Sequence, residues 1–327
     1  MSEKLSEVWE CYDMTIVSTY KGRGMNIVKT DKGIRVLQPL LTSESRLIQE
    51  AELKEALSGT GYTDIDVFVR NKEGELITCD RYHTPYVLKE YFDGRECNIH
   101  VEADMHLAVQ NLARLHLALA KIPVQPQDSG EGLKMYRTFV RHNREMQRVR
   151  TYMRKRASKS EFDYLYLSTF DLFYSQGIEV QKSLEAYEND FKGQKISYCH
   201  GSYNQHNILI CKDKIATVNF DHFAVDNPLI DLYTFLRKAM EKNDYQPELL
   251  FRLIDTYQKD IPLSKLELRY LYYLLWYPEK FWKISNQYNN MNKAWIAPKT
   301  YEKLSTIIAQ EELKKRLLKE YQVYFGI

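Results

Sequence analysis

Two polar clusters in the second half of the chain contain the residue types that could do chemistry. The first runs from His200 to Asn207, and the second contains Asp221. Two short apolar runs between them, 208–210 and 215–218, are joined by a polar turn, which predicts a β-hairpin. Antiparallel pairing would bring Asn207, just before the first strand, close to Asp221, just after the second. An amide and a carboxylate at one end of a hairpin offer the oxygen ligands that a hard divalent cation such as Mg²⁺ prefers.

The composition is that of a chain able to build a substantial core. Its 327 residues are enough for one large or two medium domains, with 44% hydrophobic and 28% charged residues. The net charge of +2 indicates no class of partner. The five cysteines are scattered without a CxxC spacing, which argues against a disulfide framework or zinc site and fits a reducing compartment. The charged N-terminus predicts no secretory signal, and the apolar windows are too short to predict a membrane span.

The first ninety residues predict a small α+β lobe, because short apolar runs alternate with turn residues around a single amphipathic helix. Ser43 is a suitable N-cap for that helix. The predicted elements are a short helix within 1–15, strands at 14–18, 25–29, 33–41, 65–69, 76–79 and 85–92, and the capped helix at 43–58.

After residue 93 the hydrophobic pattern becomes helical, and we expect the functional hairpin to be embedded among helices. Predicted helices cover 102–121, 133–187 with an interruption at 157–160, 231–240, 247–259, 265–277 and 301–321. The sequence thus predicts an α+β protein with a strand-rich N-lobe at 1–93 and a helical C-lobe at 94–327.

This order of elements, with His200-Gly201 and Asn207 in one loop and Asp221 after the hairpin, resembles the aminoglycoside phosphotransferase and choline kinase branch of the protein-kinase-like fold. The chain is more closely similar to the CotS group of spore coat proteins from spore-forming Firmicutes. The stretches that carry this second resemblance are 30–33, 93–96, 112–116, 200–207 and 231–238.

The resemblance implies a two-lobed kinase-like fold with a site for ATP and Mg²⁺ between named positions. Asn207 and Asp221 would hold the metal. The backbone of a hinge containing Lys89, Glu90 and Tyr91 would receive the adenine. A spore coat protein of this kind would be made in the mother-cell cytoplasm and then join the coat, with other coat proteins as partners.

Two further positions follow from the resemblance. Glu50 or Glu52, on the helix of the first lobe, would pair with the lysine that such kinases carry on the third strand. The turn at 21–24 would lie over the phosphates, although its Gly22-x-Gly24 lacks the third glycine of a GxGxxG loop and is equally typical of a plain tight turn.

At two positions the sequence departs from an active kinase. Ser202 occupies the place of the catalytic aspartate, and a hydroxyl with a very high pKa cannot act as a general base near pH 7. Gln38 occupies the place of the third-strand lysine, and its neutral amide is a poor replacement for a phosphate-binding ammonium. Arg35 points to the opposite face of the strand, whereas Lys29 on the neighbouring strand could reach in.

Three functions are therefore open. The two losses favour a catalytically degenerate, pseudokinase-like coat protein. The retained Asn207 and Asp221 favour instead either an ATP-dependent small-molecule or sugar phosphotransferase with a displaced base, or a nucleotide sensor without turnover. Asn and Asp also stabilise turns through bonds to the backbone, so a structural role for both residues is equally open.

A basic stripe is predicted on one helix face, where Arg137, Arg141, Arg144 and Arg148 are spaced by four, three and four residues. Only Glu145 within the stripe can pair with it. We expect docking to an acidic partner or a phosphorylated substrate there, rather than a merely solvated helix face. Nucleic acid is less supported, because no DNA- or RNA-binding motif accompanies the stripe.

Overall fold

The computed structural model describes residues 5–22, 25–124, 134–191, 196–290 and 298–327. The chain forms two compact units. The first consists of Met1–Val124 and Ser197–Ala224, and the second of Gln125–Ile196 and Val225–Ile327. The lobe boundary predicted at residue 93 stays a prediction.

The first unit is built on an antiparallel sheet with the strand order β1-β2-β3-β6-β4, in which β5 also pairs with β6. Helix α1 precedes the sheet and α2 follows β3. The bounds are α1 (Ser6–Glu10), β1 (Ile16–Gly22), β2 (Met25–Thr30), β3 (Gly33–Pro39), α2 (Glu44–Gly59), β4 (Phe68–Val69), β5 (Thr78–Cys79) and β6 (Pro85–Glu90). Ser43 caps α2 as predicted, since its hydroxyl accepts a hydrogen bond from the Arg46 N–H.

The two faces of this sheet are used differently. Leu37 pairs with Leu88 across β3 and β6, and both join a core with Trp9 of α1. Because side chains alternate along a strand, the neighbouring pairs, Val36 with Lys89 and Gln38 with Val87, lie on the opposite face. Val87 packs there against Leu47 and Ala51 of α2.

The predicted hairpin is confirmed and belongs to a second, three-stranded sheet of the first unit. Ile210 pairs with Ile215, and Ile208 pairs with Thr217. The order is β10-β9-β7. The remaining strands and α-helix of this unit are β7 (Arg95–Glu96), α3 (Glu102–Leu119), β8 (Ser197–Cys199), β9 (Ile208–Ile210) and β10 (Ile215–Thr217). Short 3₁₀ turns, Gln205–Asn207 and Phe220–His222, flank the hairpin, and strand β11 (Ala224–Asp226) begins at the last residue of the unit.

Apart from the last two residues of β11, the regular elements in the described part of the second unit are helices. Its helices are α4 (Lys134–Lys155), α5 (Glu161–Phe191), α6 (Leu229–Lys242), α7 (Pro247–Gln258), α8 (Lys265–Trp276), α9 (Glu279–Asn290), α10 (Pro298–Ala309) and α11 (Glu311–Phe325). None of the helices in the described ranges is long and apolar enough to cross a membrane.

One helix prediction was wrong, and one helix was not predicted individually. The helix predicted at 301–321 is two helices that meet at Gln310, where neither glycine nor proline marks the break. Helix α9 was missed, although Pro278 just before it is a recognised signal for a helix start. The strands predicted at 33–41 and 65–69 are also shorter than expected.

Candidate functional site

One cavity of about 710 Å³ in the first unit gathers most of the residues that the sequence singled out. Strand β3, helix α2, strand β6 and the two loops at the open end of the β9–β10 hairpin all contribute to its wall. The predicted residues that line it are Gln38, Glu50, Lys89, Ser202, Asn207 and Asp221. A second cavity of about 20 Å³ shares Gln38 and Lys89 with the first and is also lined by Glu90 and Tyr91.

The loop before β9 is held by a buried histidine. The Nε2–H of His200 donates to the Val218 carbonyl over 3.0 Å, and its Nδ1 accepts from the Ser202 N–H over 3.2 Å, so these two bonds fix one tautomer. Gly201 has a φ of +75°, and a Cβ atom there would lie 1.9 Å from the His222 carbonyl oxygen. Glycine is therefore required where the two loops pass each other.

The Asn207 side chain is oriented at both ends. Its amide donates to the Ser202 carbonyl over 3.0 Å, and its carbonyl oxygen accepts from the Asn219 amide over 2.9 Å. Asn219 has a left-handed backbone with φ of +64°, a conformation that asparagine tolerates. The structural role considered for Asn207 is thus present, and its oxygen keeps a second lone pair that a metal ion could use.

Asp221 presents its carboxylate to the cavity while its backbone is fixed by α2. The Arg46 guanidinium donates to the Asp221 carbonyl oxygen over 3.1 Å and lies 3.5 Å above the Phe223 ring. The Asp221 side chain is 51% exposed, and one of its oxygens lies 3.5 Å from His222 Nε2. Arg46 therefore positions the loop without neutralising the carboxylate directly.

This donor set fits Mg²⁺. The ion commonly takes one or two protein oxygens and completes its shell with water and phosphate oxygens. Asn207 and Asp221 supply an amide and a carboxylate in one cavity. Among the described residues there is no group of three or more His, Cys, Asp or Glu side chains that could form a separate metal centre.

A cluster of four charged side chains, two of which line the cavity, was not apparent from the sequence. Lys54 lies 2.6 Å from Glu50 and 2.9 Å from Asp66. Lys89 lies 3.5 Å from the same Glu50 and 3.6 Å from Asp66. All four are buried, whereas Glu52 is exposed. Of the two glutamates considered for a lysine partner, Glu50 belongs to the cluster and Glu52 does not.

Burial and the neighbouring charges together shift the pKa values of the cluster. Burial alone would lower the pKa of Lys89, but the carboxylates of Asp66, Glu50 and Asp221 outweigh it, and the pKa is raised. For Asp66, burial would raise the pKa, yet Lys54 and Lys89 bring it below its ordinary value. Burial lowers the pKa of Lys54 despite its two carboxylate partners. Lys89 thus places a protonated ammonium in the cavity wall.

Two backbone N–H groups of the predicted hinge already have hydrogen-bond partners in the protein. The backbone N–H groups of Glu90 and Tyr91 donate to carbonyls of neighbouring segments over 2.9 and 3.1 Å, so an adenine would need other backbone groups. Val36, Leu209 and Val218 form apolar walls for the adjoining 20 Å³ cavity. That volume holds about one water molecule. A purine ring would therefore enter only after this slot opens.

Several residues of the site were not predicted from the sequence. Lys89 was assigned through its backbone, and Lys54, Asp66, Arg46 and Asn219 were not assigned at all. Lys54 stands four residues after Glu50, and Lys89 interrupts an apolar strand, which are the two signals available in the sequence. Lys29 is exposed rather than part of the cavity wall. The turn predicted over the phosphates includes residues 23 and 24, which lie outside the described residues.

Comparison with known families decides the relationship. The family model described as "Spore coat putative kinase YutH" matches residues 6–321. The chain belongs to this spore coat family. The resemblance to CotS-type coat proteins is thereby confirmed at the level of the family. Among curated proteins, none matches the chain significantly by sequence.

Solved structures show the fold of the YutH-type chain. An aminoglycoside phosphotransferase from Alicyclobacillus acidocaldarius subsp. acidocaldarius DSM 446 superposes with a TM-score of 0.80 at 16% identity, covering 97% of this chain and 95% of the other. Amicoumacin kinase hAmiN, solved with AMP-PNP, Ca²⁺ and Ami, gives 0.59 at 13% identity over 98% and 94%. A microcompartment-associated aminopropanol kinase gives 0.60 at 14% identity over 96% and 97%. The predicted α+β kinase-like fold is confirmed.

Proposed function

We propose that this protein is a coat-associated pseudokinase that binds a Mg²⁺–nucleotide complex and transfers its phosphate slowly or not at all. One observation carries the proposal: Asn207, Asp221 and Lys89 line the same cavity as Ser202, which stands where a kinase has its base. The groups that hold a nucleotide are present, and the group that activates the acceptor is replaced.

Binding is supported by the chemistry of the cavity wall. Two oxygen ligands and a protonated lysine are the groups that a metal-bound polyphosphate requires. When bound, Mg²⁺ would neutralise phosphate charge. Asn207 and Asp221 would hold the ion, while Arg46 keeps the Asp221 backbone in place.

Weak transfer follows from the groups around Ser202. Its hydroxyl accepts from the Asn204 amide over 3.2 Å and offers no basic atom near neutral pH. Two carboxylates line this cavity within the described residues: Glu50 is paired with lysines, and Asp221 would be occupied by the metal ion. Loss of a general base typically lowers the rate by roughly 10²–10⁴-fold.

A second candidate is an active phosphotransferase with a displaced base. It is favoured by His222, whose ring also lines the cavity. Turnover of ATP by the wild-type protein, lost in His222→Gln but retained in Ser202→Ala, would favour this candidate over the pseudokinase.

The binding proposal is tested by thermal unfolding with ADP, with and without Mg²⁺. A ligand at 100 times its Kd stabilises the folded state by about 2.7 kcal/mol. We expect a Mg²⁺-dependent rise of the melting temperature that Asp221→Asn removes. Asp213→Asn is the matched control, since it removes an exposed carboxylate at the closed end of the same hairpin. No shift with any nucleotide would refute binding.

We further propose that the protein works in the spore coat after synthesis in the mother-cell cytoplasm, together with other coat proteins. Its partner surface would be the basic stripe on α4, formed by Arg137, Arg141, Arg144 and Arg148, which are all exposed. The nearest acidic group within the stripe, Glu145, lies 3.9 Å from Arg141. An acidic segment of a coat protein complements this surface.

A further inference from the structure

The position of Lys89 relative to Gln38 follows from strand register. In the β3–β6 ladder Val36 pairs with Lys89, and Gln38 pairs with Val87. Lys89 is therefore the diagonal cross-strand neighbour of Gln38 on the same face of the sheet. Diagonal neighbours are about 7–8 Å apart, which is within reach of a long side chain. An ammonium from position 89 can thus reach the space that an ammonium from position 38 would occupy.

The two buried lysines have different surroundings. Lys54 makes the closer contacts, 2.6 Å to Glu50 and 2.9 Å to Asp66, and lines neither cavity among the residues described. Lys89 makes the longer contacts, 3.5 and 3.6 Å, and lines both cavities. Lys54 is therefore the structural counter-ion of the two carboxylates, whereas Lys89 lines the space that a ligand would enter.

We propose that Lys89 replaces the third-strand lysine and binds the phosphates next to the nucleoside, with Glu50 as its positioning residue. This inference rests on the proposed nucleotide binding and assigns it a residue. Lys54, which is itself paired with Asp66, holds the Glu50 carboxylate in place. Gln38 is then a neutral neighbour of a lysine rather than a lost function, because a second lysine at position 38 would crowd two ammoniums onto one face.

The consequence is that only one of the two departures from an active kinase removes a chemical group. The ammonium is retained from an adjacent strand, and the base at position 202 is missing. The site is therefore equipped to bind a nucleoside diphosphate or triphosphate and poorly equipped to activate an acceptor hydroxyl.

The test compares ADP with adenosine by calorimetric titration of the full chain with Mg²⁺. Lys89→Gln should weaken ADP binding about 10- to 100-fold, the usual size of a lost charge-assisted hydrogen bond. Adenosine, which has no phosphate, should bind as before. The swap Gln38→Lys with Lys89→Gln should recover most of the ADP affinity, and Lys29→Gln on β2 serves as an exposed-lysine control.

Folding is controlled by a second variant, because Lys89→Gln leaves two buried carboxylates with one lysine. Lys89→Gln with Asp66→Asn leaves one lysine and one carboxylate, and its ADP affinity should be lowered equally. Unchanged ADP affinity in this balanced variant, or an equal loss for ADP and adenosine, would overturn the role of Lys89 while nucleotide binding stands. A wild-type protein that binds neither ligand would overturn the proposed function itself.

Discussion

Replacing Lys54 by methionine should destabilise the first unit strongly. The side chain is 1% exposed, and its ammonium lies 2.6 Å from Glu50 and 2.9 Å from Asp66. It also donates to the Asp66 carbonyl over 3.0 Å. Methionine has a similar volume but leaves two buried carboxylates facing Lys89 alone and one carbonyl unpaired.

The expected cost is about 3–5 kcal/mol of unfolding free energy, the usual effect of removing one partner from a buried ion pair. Urea unfolding followed by circular dichroism measures it. Lys54→Met with Asp66→Asn restores the balance of one lysine to one carboxylate. Its cost should therefore be smaller than the sum of the single variants, by a coupling of roughly 0.5–3 kcal/mol.

The matched control is Lys32→Met. Lys32 lies 2.7 Å from Asp13, nearly the distance of Lys54 from Glu50, but its side chain is 52% exposed. An exposed pair contributes about 0–1 kcal/mol. If Lys54→Met and Lys32→Met cost the same, burial of the charge cluster is not what stabilises this part of the fold, and the reasoning fails.

Three other outcomes can be measured directly. Burial raises the pKa of Asp226 to about 6 from an ordinary 3.8, so ionisation of this carboxyl costs stability as the pH rises through that interval. Asp226→Asn should therefore increase the unfolding free energy at pH 7.5 by up to about 3 kcal/mol, seen as a higher melting temperature, and leave both unchanged at pH 3.5. Gly201→Ala should destabilise by more than about 1–2 kcal/mol in urea unfolding, because its φ is +75° and its Cβ would meet the His222 carbonyl. Arg144→Glu should weaken binding of polyglutamate in low salt, whereas Lys315→Glu on α11 should not; equal losses would argue against the α4 stripe.

The hairpin and its polar ends were predictable because the information is local. Asn207 and Asp221 are fourteen positions apart in the sequence, and alternating apolar runs fix the turn between them. The same holds for Ser43, whose capping role depends on residues within one helical turn. The kinase-like fold followed from the resemblance to a known group.

The charge cluster was not predictable in the same way. Lys89 meets Glu50 only because β6 pairs with β3 in one register, and a shift by one residue would turn Lys89 to the other face. Lys54 carries a weak signal as the i+4 neighbour of Glu50, but that spacing is common on exposed helices too. The sequence therefore singles out Gln38 but does not show that Lys89 lies on the same face of the sheet.

The most direct test of the account follows labelled ATP through one turnover. The wild-type protein in excess over γ-labelled ATP with Mg²⁺ should hold intact ATP for hours. Ser202→Asp should bind ATP equally and release phosphate to water roughly 10²–10⁴ times faster, whereas Ser202→Asn should behave like wild type. Wild-type protein that leaves ATP unbound, or that converts it as fast as Ser202→Asp does, would contradict a nucleotide site that lacks only its base.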